Sequence, residues 1–337
     1  MEGSISINQL SNSYSSFVVS SPYQALCCIE AIKTFNIKQF DVYIMIYSGF
    51  NNRLDQIRAV FDYYGINYTI KQCNNKSFLS FLKNSIFGSS QYDISYAGDY
   101  YSYVFVLFAI SLIRRKGALF YLDDGNSTIS VLKGNLEDYK TKGLLGRIIV
   151  LISKIICSLS GIAYNRYFFT TFSDITNDKY EIYQNTFSHI ARGIKGDEKQ
   201  LNIFIGTTKK SFCDINNIEE KDYYRILKRK LVEMSRQSDL CYIPHGQDID
   251  KIVLDFCASN RIKCVLPEVC IELYLIMNHI IPNMIAGFTS TALYTIKKMY
   301  PQSNVINIRI MSEIQNPEYD IISSYYEQNG IVTEYYT

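Results

Sequence analysis

The sequence has no tryptophan, three histidines and six prolines in 337 residues. Its nine cysteines show no metal-type spacing: Cys27 and Cys28 are adjacent and the others are isolated. Few histidines and no CxxC pair argue against a structural zinc site. Free, buried thiols in a reducing compartment are expected instead. A net charge of +2 argues against bulk nucleic-acid binding, which needs a strong basic excess. No GxxxxGK[ST] loop occurs, which disfavours ATP hydrolysis of the P-loop kind. No apolar run reaches bilayer-spanning length. The first 15 residues are polar, so no secretory signal is expected. The expected location is the cytoplasm, with peripheral contact at the inner face of the membrane left open.

What is present is ordinary globular material, 47% apolar and 20% charged, long enough for two domains with sizeable cores. The abundance of Tyr, Asn, Ile, Lys and Ser reads as genome base composition. Strands are expected at 17–20, 40–47, 66–70, 92–97 and 117–122, each followed by a turn or a helical pattern. Leu54, Ile57, Val60, Phe61 and Tyr64, for example, recur at helical spacing until Gly65 stops them. A second run places strands at 201–205, 240–243, 262–266, 284–287 and 305–310. Alternation of this kind implies parallel sheets with helices on both faces. The expected fold class is α/β, with an N-terminal domain over 1–165 and a C-terminal domain over 166–337. Two such domains are expected to face each other across a cleft, a favoured ligand site. The Tyr-rich tail from 313 is weakly patterned and is expected to pack back on the first domain.

Residues 138–168 break the alternation. Lys140, Arg147 and Lys154 lie seven apart on one helical stripe, and Leu144, Leu145, Ile148, Ile149, Leu151, Ile152, Ile155 and Ile156 cover most of the rest. Two roles fit: a buried helix at the domain junction, or an interfacial helix meeting anionic lipid.

The chemistry concentrates at strand ends. The strand 117–122 stops at Asp123-Asp124-Gly125, and ligands gather at the carboxyl ends of strands in open α/β sheets. Two adjacent carboxylates raise each other's pKa, which suits one of them to act as general base near neutral pH. The same tripeptide also suits a plain turn. His245 follows a strand and can donate to a phosphate or a carboxylate. Ser290 and Thr291 sit between a strand and a helix, where hydroxyls and free N–H groups make an anion site or a simple N-cap. Gly206 and Thr207 hold a similar strand end. Glu272, flanked by apolar residues, needs a partner, either a salt bridge or a ligand amine. Asp248-Ile249-Asp250 reads as solvated loop acid rather than a metal site.

Five of these stretches occur in a telling order: Ser21-Pro22-Tyr23-Gln24, Tyr121-Leu122-Asp123-Asp124-Gly125, Tyr242-Ile243-Pro244-His245, Ile271-Glu272-Leu273 and Ser290-Thr291-Ala292-Leu293. In that order the chain resembles the bacterial sialyltransferases of the lipooligosaccharide type, glycosyltransferase family 52. The resemblance implies a GT-B-like pair of Rossmann-type domains. It implies inverting, metal-independent transfer of sialic acid from CMP-sialic acid, with no cofactor, to a bacterial surface glycan or glycolipid (lipooligosaccharide, O-antigen or capsule). It makes Asp123 or Asp124 the base, with a lean to Asp124. His245, Ser290 and Thr291 become phosphate ligands, and Glu272 reads the cytosine amino edge. Gly125, Gly206 and Thr207 join the donor site. The family's His-Pro is here His245-Gly246. That departure keeps open another nonulosonic acid or nucleotide sugar as donor, and a non-catalytic glycan-binding protein on the same fold is the rival. A homodimer is one assembly this reading allows.

Overall fold

The computed structural model describes residues 4–47, 51–73, 77–87, 90–134, 144–191, 199–237, 239–246, 248–311 and 317–336. The chain divides into two compact units, Met1–Ile190 and Ala191–Thr337.

In the first unit, β1 Tyr14–Val19, β2 Gln39–Tyr47, β3 Thr69–Cys73, β4 Tyr92–Ala97, β5 Ile113–Leu122, β6 Ala163–Thr170 and β7 Glu181–Gln184 form one sheet in the order β3-β2-β1-β4-β5-β6-β7. Every pairing is parallel. Helices cover both faces, so the central strands are near-continuous apolar runs; Leu119, Phe120, Tyr121 and Leu122 are all fully buried. With no tryptophan available, Phe and Tyr fill the core by stacking. Phe17 lies on Tyr96 at 4.4 Å between ring centroids and Phe120 on Tyr167 at 4.8 Å.

In the second unit, β8 Lys199–Ile205, β9 Leu240–Ile243, β10 Lys263–Cys264, β11 Ile280–Gly287, β12 Asn304–Ile310 and β13 Val332–Tyr336 pair in the order β10-β9-β8-β11-β12-β13, again all parallel. In both sheets the strand order reverses once, between β1 and β4 and between β8 and β11. These are the topological switch points where ligands bind beyond the carboxyl ends of the strands.

The structure corrects several expectations. A boundary at 165 would cut through β6, which pairs with β5 and β7 in the first sheet. The first unit runs on to Ile190, and there the buried Glu30 carboxylate accepts the N–H groups of His189 at 3.1 Å and Ile190 at 3.0 Å. Residues 138–168 are not one helix. Leu144–Ser160 is helical and Ala163–Thr170 is β6. The helix is the β5–β6 crossover inside the first unit, not a domain junction, and Lys140 lies outside the described residues. The tail, weakly patterned in sequence, folds into a helix, Pro317–Gln328, and β13, the edge strand of the second sheet. Lys251–Ser259, assigned no element from sequence, is a helix capped by Asp250. Among the described residues no helix is long and apolar enough to cross a membrane.

Candidate active site

The carboxyl edge of the first sheet is built by register. Val18 pairs with Ala97 and Ala97 with Tyr121, while Leu122 pairs with Phe169. The residues just beyond, at Ser20, Gly98-Asp99, Asp123-Asp124 and Thr170-Thr171, therefore share one edge at the switch point. Ser21 caps the helix Pro22–Thr34, its hydroxyl accepting from the Gln24 N–H at 3.2 Å, with Pro22 in the first turn where no N–H is needed.

The two aspartates differ sharply. Asp123 is fully buried. It accepts from the Thr171 N–H at 2.8 Å, the Thr171 hydroxyl at 3.1 Å, the Tyr23 hydroxyl at 3.5 Å and the Thr170 hydroxyl. Burial pushes its carboxyl up to about 6, against the pull of the Thr170 and Thr171 donors. Asp124 is half-buried. Its Oδ1 accepts from Gln24 Nε2 at 2.6 Å. Burial and then the charge of Asp99 push it up to about 7, while the Gln24 bond and Arg53 act the other way. Asp99 is itself raised by burial. Asp123 is thus a carboxylate committed to structure, and Asp124 is one poised near neutrality.

Gln24 fixes Asp124 from behind. Its Oε1 accepts from the Ser20 N–H at 2.7 Å and the Ser20 hydroxyl at 3.1 Å, which leaves its NH2 for Asp124. Gly98 presses on this amide: a Cβ there would lie 2.6 Å from Gln24 Oε1. Gly125 takes a positive φ of 73°, which glycine tolerates without strain. The chain then turns so that the Asp124 N–H meets the Thr128 hydroxyl at 3.0 Å and the Ser127 hydroxyl meets the Asp124 carbonyl at 2.7 Å. Gly98, Asp99, Thr170, Thr171 and Arg53 were not singled out from sequence. Asp99 alone gave a signal, an acidic residue just past an apolar strand.

In the second unit, Gly206, Thr207, His245, Ser290 and Thr291 collect on the carboxyl edge of the second sheet. The Gly206 N–H donates to the Ile243 carbonyl at 2.8 Å, and a Cβ at Gly206 would lie 3.1 Å from the His245 nitrogen. The loop bearing His245 thus rests directly on Gly206. The histidine is exposed. Its carbonyl accepts from the Asp248 N–H at 2.8 Å, and Asp248 accepts in turn from the Lys209 N–H. Asp250 accepts from the Ile252 N–H at 2.8 Å and from the Tyr224 hydroxyl. Both acids of the Asp-Ile-Asp string are therefore structural caps rather than solvated loop acid.

Ser290 caps the helix Thr291–Met299, accepting from the Ala292 N–H at 3.4 Å. Thr289 before it adopts a positive φ of 29°, and the fully buried Asn307 side chain holds its N–H and hydroxyl, each at 3.0 Å. Tyr326 donates to the Ser290 carbonyl at 2.9 Å. Beside these residues lies a cavity lined by Thr207, Phe212, Phe288, Thr289, Arg309 and Tyr319. Arg309 pairs with Asp320. Asn307, Arg309 and Tyr326 come from strand and tail segments without a motif, and sequence reasoning passed over them.

Glu272 is buried near the start of the helix Ile271–Met277. Burial raises its pKa, and its own N–H and the Cys270 thiol oppose the shift. The expected salt bridge is replaced by these two donors. The buried Tyr300 hydroxyl has no hydrogen-bond partner among the described residues; burial and then the charge of Glu272 raise its pKa. Helix Ile271–Met277 packs against helix Thr291–Met299, so Glu272 belongs to the neighbourhood of Ser290.

No family model and no curated protein matches the sequence. Among solved structures, an α/β-galactoside α-2,3-sialyltransferase from Photobacterium phosphoreum aligns over 95% of this chain and 97% of its own, at 11% identity and a TM-score of 0.47. A putative UDP-N-acetylglucosamine 2-epimerase from Listeria monocytogenes aligns over 92% of this chain and 81% of its own, at 9% identity and a TM-score of 0.52. At such identity the second likeness extends to the fold alone. The fold it supports is α/β and GT-B-like, with two Rossmann-type parallel sheets.

Proposed function

We propose that the chain is an inverting, metal-independent glycosyltransferase that moves sialic acid from CMP-sialic acid to a sugar hydroxyl of a bacterial surface glycan. The observation that carries this reading is Asp124. It is a half-buried carboxylate at a switch point, raised to about 7 and held on one oxygen by Gln24. A base of that pKa takes a hydroxyl proton efficiently near neutral pH, for a typical gain of about 10²–10⁴.

In the proposed step the acceptor oxygen bonds to the anomeric carbon on the face opposite CMP. Asp124 takes the hydroxyl proton. The bond from that carbon to the phosphate oxygen breaks, and CMP leaves with the electron pair. His245 donates to the departing phosphate. The hydroxyls of Ser290 and Thr291 and the N–H groups that open their helix add further donors, and Gly206 and Thr207 complete the donor side. Losing one such donor costs roughly 10²–10³ by analogy with an oxyanion hole. Buried Glu272, raised by desolvation, accepts from the cytosine amino group, and the unpaired Tyr300 hydroxyl stands near it. CMP carries a single phosphate, whose charge these donors can offset without a metal.

A second reading, another nonulosonic acid or nucleotide sugar as donor, is favoured by Gly246 after the exposed His245. A non-catalytic glycan-binding protein would leave the pKa of Asp124 without a use. The test is calorimetric titration of CMP, UDP and GDP into the wild type and His245→Ala. Micromolar CMP binding that weakens in the variant is the expected result. No CMP binding, with tighter binding of UDP or GDP, overturns the donor assignment and leaves the fold standing.

A further inference from the structure

The helix Leu144–Ser160 shows three faces. Ile149, Val150, Ser153, Ile156 and Cys157 are buried, where the helix packs on helix Tyr103–Leu112 and on β5 and β6. On another side Ile148, Leu151, Ile155 and Leu159 are 45%, 58%, 50% and 80% exposed. Their spacing of three and four residues sets them in one stripe along the helix. Four large aliphatic side chains left in water on one face mark an interaction surface. Arg147 and Lys154 flank the stripe on one side, at the same helical spacing.

The far end of this helix meets a basic corner. A Cβ on Gly161, the residue after the helix, would lie 3.5 Å from Lys116 Cγ. Lys116 and its neighbour Arg115 are exposed at the amino end of β5. Together with Arg114, which pairs with Asp93, they line a groove of about 720 Å³.

We propose that the aliphatic stripe and the Arg115 and Lys116 corner form one docking surface for an anionic bilayer. Neither Leu144–Ser160 nor the segment 113–117 contains an acidic residue. The exposed stripe is purely aliphatic, without the aromatic and arginine anchors that dominate protein–protein hot spots. Aliphatic depth beside lysine and arginine is the composition of helices that lie in the plane of a membrane interface. At 17 residues the helix is about 25 Å long at the usual rise per residue, enough to rest on the surface and too charged to cross it. The inference is independent of the reaction proposed above.

The test is flotation of the full chain with vesicles of phosphatidylglycerol and phosphatidylethanolamine, against vesicles of phosphatidylcholine alone. Anionic vesicles should carry the protein, and binding should fall at high salt. Arg115→Gln with Lys116→Gln should weaken partitioning roughly thirtyfold, from about a fivefold contribution per cation. Leu151→Glu with Leu159→Glu should abolish it. Should that pair fail to fold by circular dichroism, Leu159→Ser alone, at the most exposed position, should still weaken binding. The proposal is overturned by no flotation, by equal flotation on phosphatidylcholine, or by wild-type binding of the Arg115 and Lys116 variant. It is also overturned if gel filtration shows a dimer that the leucine variants dissociate while vesicles bind nothing, since a second copy would then be the occupant.

Discussion

Asp123 and Asp124 are neighbours in sequence, yet replacing each should produce opposite phenotypes. Asp123→Ala would strand the Thr170 hydroxyl, the Thr171 N–H and the Thr171 hydroxyl, all of which now point at one buried carboxylate. Hydrogen bonds to a charged group are worth about 1.5–3 kcal/mol each, and an unsatisfied buried donor costs a comparable amount. Allowing the two hydroxyls to rotate toward other acceptors, the expected loss is about 3–5 kcal/mol, or on the order of 10 °C in unfolding midpoint for a unit of this size. Asp124→Asn keeps an oxygen for Gln24 and removes a charge that burial and Asp99 both disfavour. Its stability should stay within about 1 kcal/mol of wild type. Its turnover, measured as CMP release from CMP-sialic acid, should fall about 10²–10⁴. Thermal unfolding and turnover measured on the same preparations separate the two roles. A well-folded Asp124→Asn enzyme with normal turnover would refute the assignment. So would an Asp123→Asn enzyme of unchanged midpoint that has lost activity, because the base would then be Asp123.

The same carboxylates set the pH response. With a pKa of about 7 at Asp124, its ionised fraction climbs from about one tenth at pH 6 to about nine tenths at pH 8, so turnover should rise roughly tenfold across that interval. Asp99→Asn should move the midpoint to lower pH, and a fixed midpoint would remove Asp99 from the site. Stability should run the other way. The folded pKa values of Asp123 and Asp124 lie above the ordinary 3.8, so the folded state holds protons more tightly and stability declines from about pH 4 through about pH 7. Chemical denaturation at pH 5 and pH 7.5 reads this directly, and greater stability at the higher pH would contradict it. Gly98→Ala should drive the Gln24 amide from its place, since the new methyl would sit 2.6 Å from Oε1, and should lower kcat without removing any acid or base; unchanged kcat would mean that Gln24 does not position Asp124. Gly206→Ala should weaken CMP binding by pushing back the His245 loop, whose nitrogen lies 3.1 Å from the added carbon. Equal affinity in calorimetry would detach that loop from the donor site.

The alternation of apolar runs with helical spacing makes both sheets legible from the sequence, because strands buried on two faces must be nearly all apolar. β6 and β7 are harder to read. Arg166 and Asn165 interrupt the first, and Glu181 and Gln184 bracket the second, so their pairing depends on neighbours far along the chain. The helix Pro317–Gln328 and β13 are missed for the same reason. Their tyrosines, Tyr325 and Tyr326, are buried, but their polar neighbours give no period. At the carboxyl edges of the two sheets, Asp124, His245 and Ser290 are readable because the proposed reaction calls for a carboxylate, an imidazole and a hydroxyl at strand ends. What holds them is not readable, because an amide such as Gln24 or Asn307 gains its meaning only from what it faces.

That difference explains how two adjacent aspartates come to divide their labour. The register of Leu122 against Phe169 across β5 and β6 places Asp123 against Thr170 and Thr171, and the next residue, just past the strand, turns instead to Gln24. Asp124 therefore meets the β1 and β4 side of the switch point, where Gln24 and Asp99 stand. A single strand end thereby supplies one carboxylate that ties β5 to β6 and a second whose proton affinity is raised by burial and then by the charge of Asp99 on its other flank. Parallel register, rather than the Asp-Asp-Gly string itself, sets these two environments apart. Any substitution that slips β5 by one residue would exchange their environments and should abolish both stability and turnover together.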